Sequence, residues 1–100
     1  MSAQIPTETH GELPGESREN RIKRLSMRSM RRGIKEMDII LTRYADANLE
    51  TMSNAELLEY DAMLSENDQD LYQWVSGQAQ PKAEFAPLIG RIRQMLGYTE

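Results

Sequence analysis

Apolar residues in this chain recur every three or four positions, in short runs each closed by glycine, asparagine or proline. That rhythm suits helices, and no stretch alternates as a half-buried strand would. The clearest run, Ile34, Met37, Ile40, Leu41, Tyr44 and Ala45, marks the buried face of a second helix that stops near Asn48. A first helix is predicted over about Arg18 to Arg31, with Ile22, Leu25 and Met30 facing inward and Gly33 interrupting or redirecting the chain. Ser53 followed by Glu56 has capping-box spacing and opens a third helix with Leu57, Tyr60 and Leu64 as its stripe. Asn67 or Asp68 can cap a fourth, whose Leu71, Trp74 and Val75 point to the core and which Gly77 ends. The fifth spans about Ala83 to Leu96 through Phe85, Leu88, Ile89 and Ile92, and Pro87 must then lie in its first turn. The expected fold is all-α: a compact five-helix bundle with a flexible N-terminal tail.

One hundred residues allow a single domain with a modest core. We expect an acidic tail over residues 1–17, a five-helix domain over 18–97 and a short C-terminal tail over 98–100. The first segment carries Glu8, Glu12 and Glu16 with two prolines and two glycines, so it matches neither a secretory signal nor an arginine-rich transit peptide. With no apolar run near the roughly 18 residues of a membrane span, no membrane insertion and a cytoplasmic location are expected. The absence of cysteine fits a reducing compartment.

The net charge of −4 conceals an asymmetry. Eight of the 12 basic residues (Arg18, Arg21, Lys23, Arg24, Arg28, Arg31, Arg32 and Lys35) fall in one stretch opposed only by Glu19, whereas Tyr44 to Pro81 contains none. Such a dipolar molecule can be steered toward a complementary partner. Catalytic templates fail: the single histidine is His10, in the tail, so no base is placed beside a nucleophile and no His/Cys metal set exists. Glu66, Asp68 and Asp70 resemble part of a calcium loop but lack its glycine and terminal glutamate. No glycine-rich phosphate loop is present. The chain is expected to be no enzyme and to hold no cofactor or metal.

What remains is Arg32-Gly33-Ile34-Lys35-Glu36-Met37-Asp38. On a continuous helix Arg32 and Glu36 share a face beside Gly33. That arrangement reads either as a surface ion pair worth roughly 0.3–0.5 kcal/mol, or as a docking patch. In the second reading Gly33 leaves a flat spot for a partner backbone and Arg32 offers a planar fork.

Arg-Gly-x-x-Glu at Arg32, Gly33 and Glu36 resembles the signature of the succinate dehydrogenase flavinylation factor family, which has bacterial and mitochondrial members. The likeness continues through Asp38-Ile39-Ile40-Leu41, Leu57-Leu58-Glu59-Tyr60-Asp61-Ala62-Met63-Leu64 and Asp68-Gln69-Asp70-Leu71-Tyr72-Gln73-Trp74. It covers about Arg21 to Arg93 in order and spacing. Met27 and Met30 stand where many members carry aromatic residues. The resemblance implies a five-helix bundle that binds, as a monomer, the flavoprotein subunit of succinate dehydrogenase, and in some bacteria that of fumarate reductase. It implies promotion of covalent attachment of FAD carried by that partner, with none held stably by the chain itself. It also implies a contact surface of Arg32, Gly33 and Glu36 with Arg31, supported or bordered by Asp38 and by the Asp68 to Trp74 block, Asp70 included. Two rival readings are an antitoxin-like module, a label also given to this family, and a nucleic-acid-binding helix built on Arg18 to Lys35. The overall acidity and the lack of a recognition helix weigh against nucleic acid.

Overall fold

Side-chain caps set the starts of three of the five helices in this computed structural model, which describes residues 15–98. Helix α1 (Arg18–Arg28) begins where Ser17 accepts the Asn20 amide, and α3 (Asn54–Leu64) carries the full Ser53–Glu56 capping box. Helix α4 (Asp68–Ser76) starts where Asn67 accepts the Gln69 amide. Helix α2 (Lys35–Asn48) has no side-chain cap, and it continues into a 3-10 turn over Leu49–Thr51. Helix α5 (Ala86–Met95) follows a 3-10 turn over Ala83–Phe85, with Pro87 in its first turn. Proline fits there because its missing N–H has no helical acceptor to satisfy.

The five expected helices are all present, and the described residues contain no strand. Two boundaries moved. α1 stops at Arg28 and α2 starts at Lys35, so Arg32 and Gly33 lie in a loop and not on a helix. The expected tail over residues 1–14, including Glu8, His10 and Glu12, lies outside the described residues, as do residues 99–100. Glu16 and Ser17, assigned to that tail, belong to the folded unit: Ser17 caps α1 and Glu16 is ion-paired to it.

The core is one cluster in which Leu25, Met37, Leu41, Leu57, Tyr60, Met63, Leu71, Leu88 and Ile92 are fully enclosed. Trp74 packs in it at 6.3 Å from Phe85, and Tyr44 lies 5.9 Å from Tyr60, centroid to centroid. Trp74 is therefore core, as Leu71 and Val75 on its face suggested. Met30, expected inside, is 41% exposed because α1 ends before reaching it. Gly77 closes α4 at φ +85°, and a Cβ there would sit 2.7 Å from Arg93 Nη1. The dihedral calls for glycine, while the contact is with the movable end of the Arg93 side chain.

Helix α1 buries little apolar surface: among its residues only Leu25 is a fully enclosed hydrophobe. It is held to α3 largely by charge. Asp61, 0% exposed, receives Arg24 through Nη1 at 3.2 Å and Nη2 at 2.9 Å, and Arg28 through Nη1. Arg28 also reaches the Asp61 carbonyl at 3.1 Å and Ser65 Oγ at 3.1 Å. Glu16 closes the seam, accepting Arg24 Nε at 2.7 Å and Arg21 Nε at 3.2 Å. A carboxylate so enclosed is tolerable only when its oxygens are occupied by donors, and these are.

Candidate functional site

The loop between α1 and α2 is fixed from below before anything is displayed above. Ser29, fully buried, donates its hydroxyl to the Leu25 carbonyl at 2.8 Å and meets the Tyr60 hydroxyl at 2.6 Å. Tyr60 in turn reaches the Leu41 carbonyl at 3.4 Å, and burial pushes its phenol up to about 12, so it stays protonated. Thr42 Oγ1 donates to the Ser29 carbonyl at 3.3 Å. The last turn of α1 is thus tied to both α2 and α3.

Beyond Ser29 the backbone turns sharply. Arg31 takes φ +54°, the one non-glycine residue with positive φ among those described, and its amide donates to Asp38 Oδ2 at 3.0 Å. An L-residue in this region is strained by roughly 1 kcal/mol and persists only where its surroundings over-determine it. Gly33 donates its amide to Asp68 Oδ2 at 2.6 Å, and an added Cβ would lie 3.1 Å from that oxygen. Glycine here allows the backbone to approach a carboxylate closely, while the residue itself remains exposed.

Arg32 behaves differently from the sequence expectation. The loop geometry gives it no shared helical face with Glu36, and the two form no pair. Its guanidinium turns inward instead, donating Nε to Asp68 Oδ1 at 2.9 Å, Nη1 to the Arg28 carbonyl at 2.8 Å and Nη2 to the Leu64 carbonyl at 3.0 Å. With its side chain 11% exposed, the planar fork envisaged for a partner is already occupied. The outward groups are Arg31, Lys35, Glu36 and Asp70, all exposed and without an ion pair or side-chain hydrogen bond to any described residue. Asp38 is half-buried and engaged with the loop, its Oδ1 lying 3.4 Å from Thr42 Oγ1 as the alternative acceptor to the Ser29 carbonyl. Exposed Met30 and Ile39, the latter 59% exposed, flank the loop in sequence.

Four of the eight basic residues in the basic stretch, Arg21, Arg24, Arg28 and Arg32, meet carboxylates within the fold. Arg18 binds Asn54 and the carbonyls of Glu50 and Met52, Arg21 and Arg24 bind Glu16, Arg24 and Arg28 bind Asp61, and Arg32 binds Asp68. The Arg24 guanidinium beside Glu16 and Asp61 is held even more firmly protonated than usual. Arg24 and Arg21 hold the Glu16 carboxyl below its ordinary range. The sequence reading missed this seam. Its signal was present: Asp61 falls between the core positions Tyr60 and Leu64, and Arg24 and Arg28 are spaced to share a helix face.

Among the described residues no group of three or more His, Cys, Asp or Glu side chains is placed to hold a metal. Asp68 is bound by Arg32 and Gly33, and Glu66 by Lys82 at 3.0 Å, so the calcium-loop likeness has no shared centre. No helix among the described residues is long and apolar enough to cross a membrane.

A family model described as flavinator of succinate dehydrogenase matches residues 23–96. Among similar curated proteins is the mitochondrial succinate dehydrogenase assembly factor 2 of Meyerozyma guilliermondii, 44% identical over 62% of this chain and 46% of that protein. The proteins of the same name from Candida glabrata and Yarrowia lipolytica are 46% identical over 61% of this chain and 44% identical over 62%, covering 40% and 43% of their own lengths. The chain therefore spans less than half of these relatives. Their names place them in the mitochondrion, which overturns the cytoplasmic location expected above. The composition of a leading segment speaks to one kind of targeting signal and not to the compartment in which a fold works.

Proposed function

The chain belongs to the flavinator of succinate dehydrogenase family, and from that premise we propose that it docks on the flavoprotein subunit of succinate dehydrogenase and promotes covalent attachment of FAD there. The docking surface is the α1–α2 loop with the first turn of α2. Gly33 supplies a bare backbone, and Arg31, Glu36 and Asp70 supply outward charges on either side of it. The observation that carries this reading is that Arg31 on the loop, Glu36 in the first turn of α2 and Asp70 in the first turn of α4 are exposed with no side-chain partner among the described residues, around a loop whose own backbone is bound by Asp38 and Asp68. Along α1, by contrast, Arg21, Arg24 and Arg28 are matched to Glu16 and Asp61, which takes them out of a phosphate-binding face and weighs against the nucleic-acid reading.

The mechanism follows from linkage. Covalent flavinylation needs the flavin and the partner's accepting side chain in a reactive geometry. A bundle that binds this arrangement better than the alternatives raises its population by its differential affinity and by no more. The bond-making groups and the FAD belong to the partner, and the chain contributes shape and charge.

Glu36→Lys tests the surface directly, because Glu36 has no described partner inside the bundle. Tenfold or weaker binding to the purified flavoprotein subunit is expected, with a matching fall in protein-bound flavin seen by in-gel fluorescence. Unchanged binding and flavin loading would remove this surface from consideration. Gly33→Leu is a less clean probe than its exposure suggests, since the new Cβ presses on Asp68.

A further inference from the structure

Asp68 opens α4, more than 30 positions from the α1–α2 loop in sequence, yet both of its carboxylate oxygens are taken up by that loop. Oδ2 accepts the Gly33 amide at 2.6 Å, and Oδ1 accepts Arg32 Nε at 2.9 Å and is ion-paired with Nη2 at 2.8 Å. Through Arg32 the same node reaches the Arg28 carbonyl at 2.8 Å and the Leu64 carbonyl at 3.0 Å, so the ends of α1 and α3 meet there too. On the other side of the loop, Asp38 takes the Arg31 amide at 3.0 Å. The segment with the least favourable backbone, Arg31 at φ +54°, is thus framed by two carboxylates from two different helices.

We infer that Asp68 is a positioning residue for partner docking: it holds Gly33 and Arg32 so that the Gly33 backbone and the Arg31 side chain face outward, without meeting the partner itself. This rests on the docking surface proposed above. A loop containing glycine and a strained arginine would otherwise sample many conformations, and ordering it on binding would subtract from affinity. Asp68 performs that ordering beforehand. The requirement is specific to a carboxylate. Gly33 N–H and the Arg32 guanidinium are both donors, so each oxygen must accept, whereas an asparagine amide offers one acceptor and turns an N–H₂ toward the other donor.

The test uses the full chain with Asp68→Asn and Glu36→Lys, binding each to the purified succinate dehydrogenase flavoprotein subunit and following amide hydrogen exchange at Gly33. Asp68→Asn is expected to weaken docking tenfold or more while the bundle still melts cooperatively, and to speed Gly33 exchange at least tenfold. Glu36→Lys should weaken docking with Gly33 exchange unchanged. A folded Asp68→Asn that docks like the parent, beside a weakened Glu36→Lys, overturns the positioning role and leaves the surface standing. If neither variant alters docking, the surface is wrong and the inference falls with it. Should Asp68→Asn fail to fold, Arg32→Lys replaces it: lysine keeps a cation near Asp68 but cannot span Asp68 and the two carbonyls together. Tenfold weaker docking by that variant supports the inference, and parent-like docking overturns it.

Discussion

Two neighbouring regions use the same kinds of charge to opposite ends. Along the α1–α3 seam, Arg24 and Arg28 close on Asp61, which is 0% exposed, and Glu16 completes the set. A short distance on in the chain, Arg31, Lys35 and Glu36 point outward with no described partner. The seam substitutes ion pairs for the broad apolar stripe that α1 lacks; the loop is tied down through its backbone amides, and the side chains of Arg31, Lys35 and Glu36 are left without a partner among the described residues. A run of basic residues is thus not in itself a basic surface. What decides is whether a carboxylate from another element comes within reach.

The contrast can be broken most forcefully at the seam. Asp61→Ala should destabilise the bundle by about 3 kcal/mol, because it strands two partly covered guanidinium groups without their acceptor, and a denaturant titration would show it as a lower midpoint. A loss below about 1 kcal/mol would mean that solvent compensates the arginines and that the seam is not what holds α1. Glu36→Lys should do the reverse. It should leave stability within about 0.5 kcal/mol of the parent while docking weakens tenfold, about 1.4 kcal/mol.

Arg31→Gly sharpens the comparison further. Relief of the positive φ should stabilise the fold by about 0.5–1 kcal/mol, read as a higher melting temperature, while loss of the side chain weakens docking. Stability and docking moving together would show that Arg31 serves the fold and not a partner. The smallest effect expected is in the acid limb of the stability curve. Glu16 has a folded pKa below its ordinary value of 4.5, through its hydrogen bonds from Arg24 and Arg21. Its contribution is therefore complete above that value and disappears as pH falls from there through the lowered folded pKa. Glu16→Gln should flatten stability over that acid range and leave its slope near neutrality unchanged; an unaltered acid limb would show that the Glu16 pairs add nothing.

Helix count, the Ser53–Glu56 box, the Gly77 terminator and the core identity of Trp74 were legible from spacing and cap chemistry, because they depend on residues within a turn of one another. The similarity of the three sequence blocks likewise pointed to the family to which residues 23–96 belong. Met30 was misplaced because the end of α1 is set by Ser29 bonding to Tyr60, a residue 31 positions away. The inward turn of Arg32 was equally hidden, since its acceptors are Asp68, 36 positions distant, and the Leu64 carbonyl, 32 positions distant.

The sequence alone therefore determined which segments are helical, which faces are apolar and where the Arg-Gly-x-x-Glu pattern falls. Only the tertiary structure decided which charges are consumed and which are displayed. Local periodicity is a property of neighbours along the chain, but the pairing of an arginine depends on which carboxylate folding brings to within about 3 Å of it.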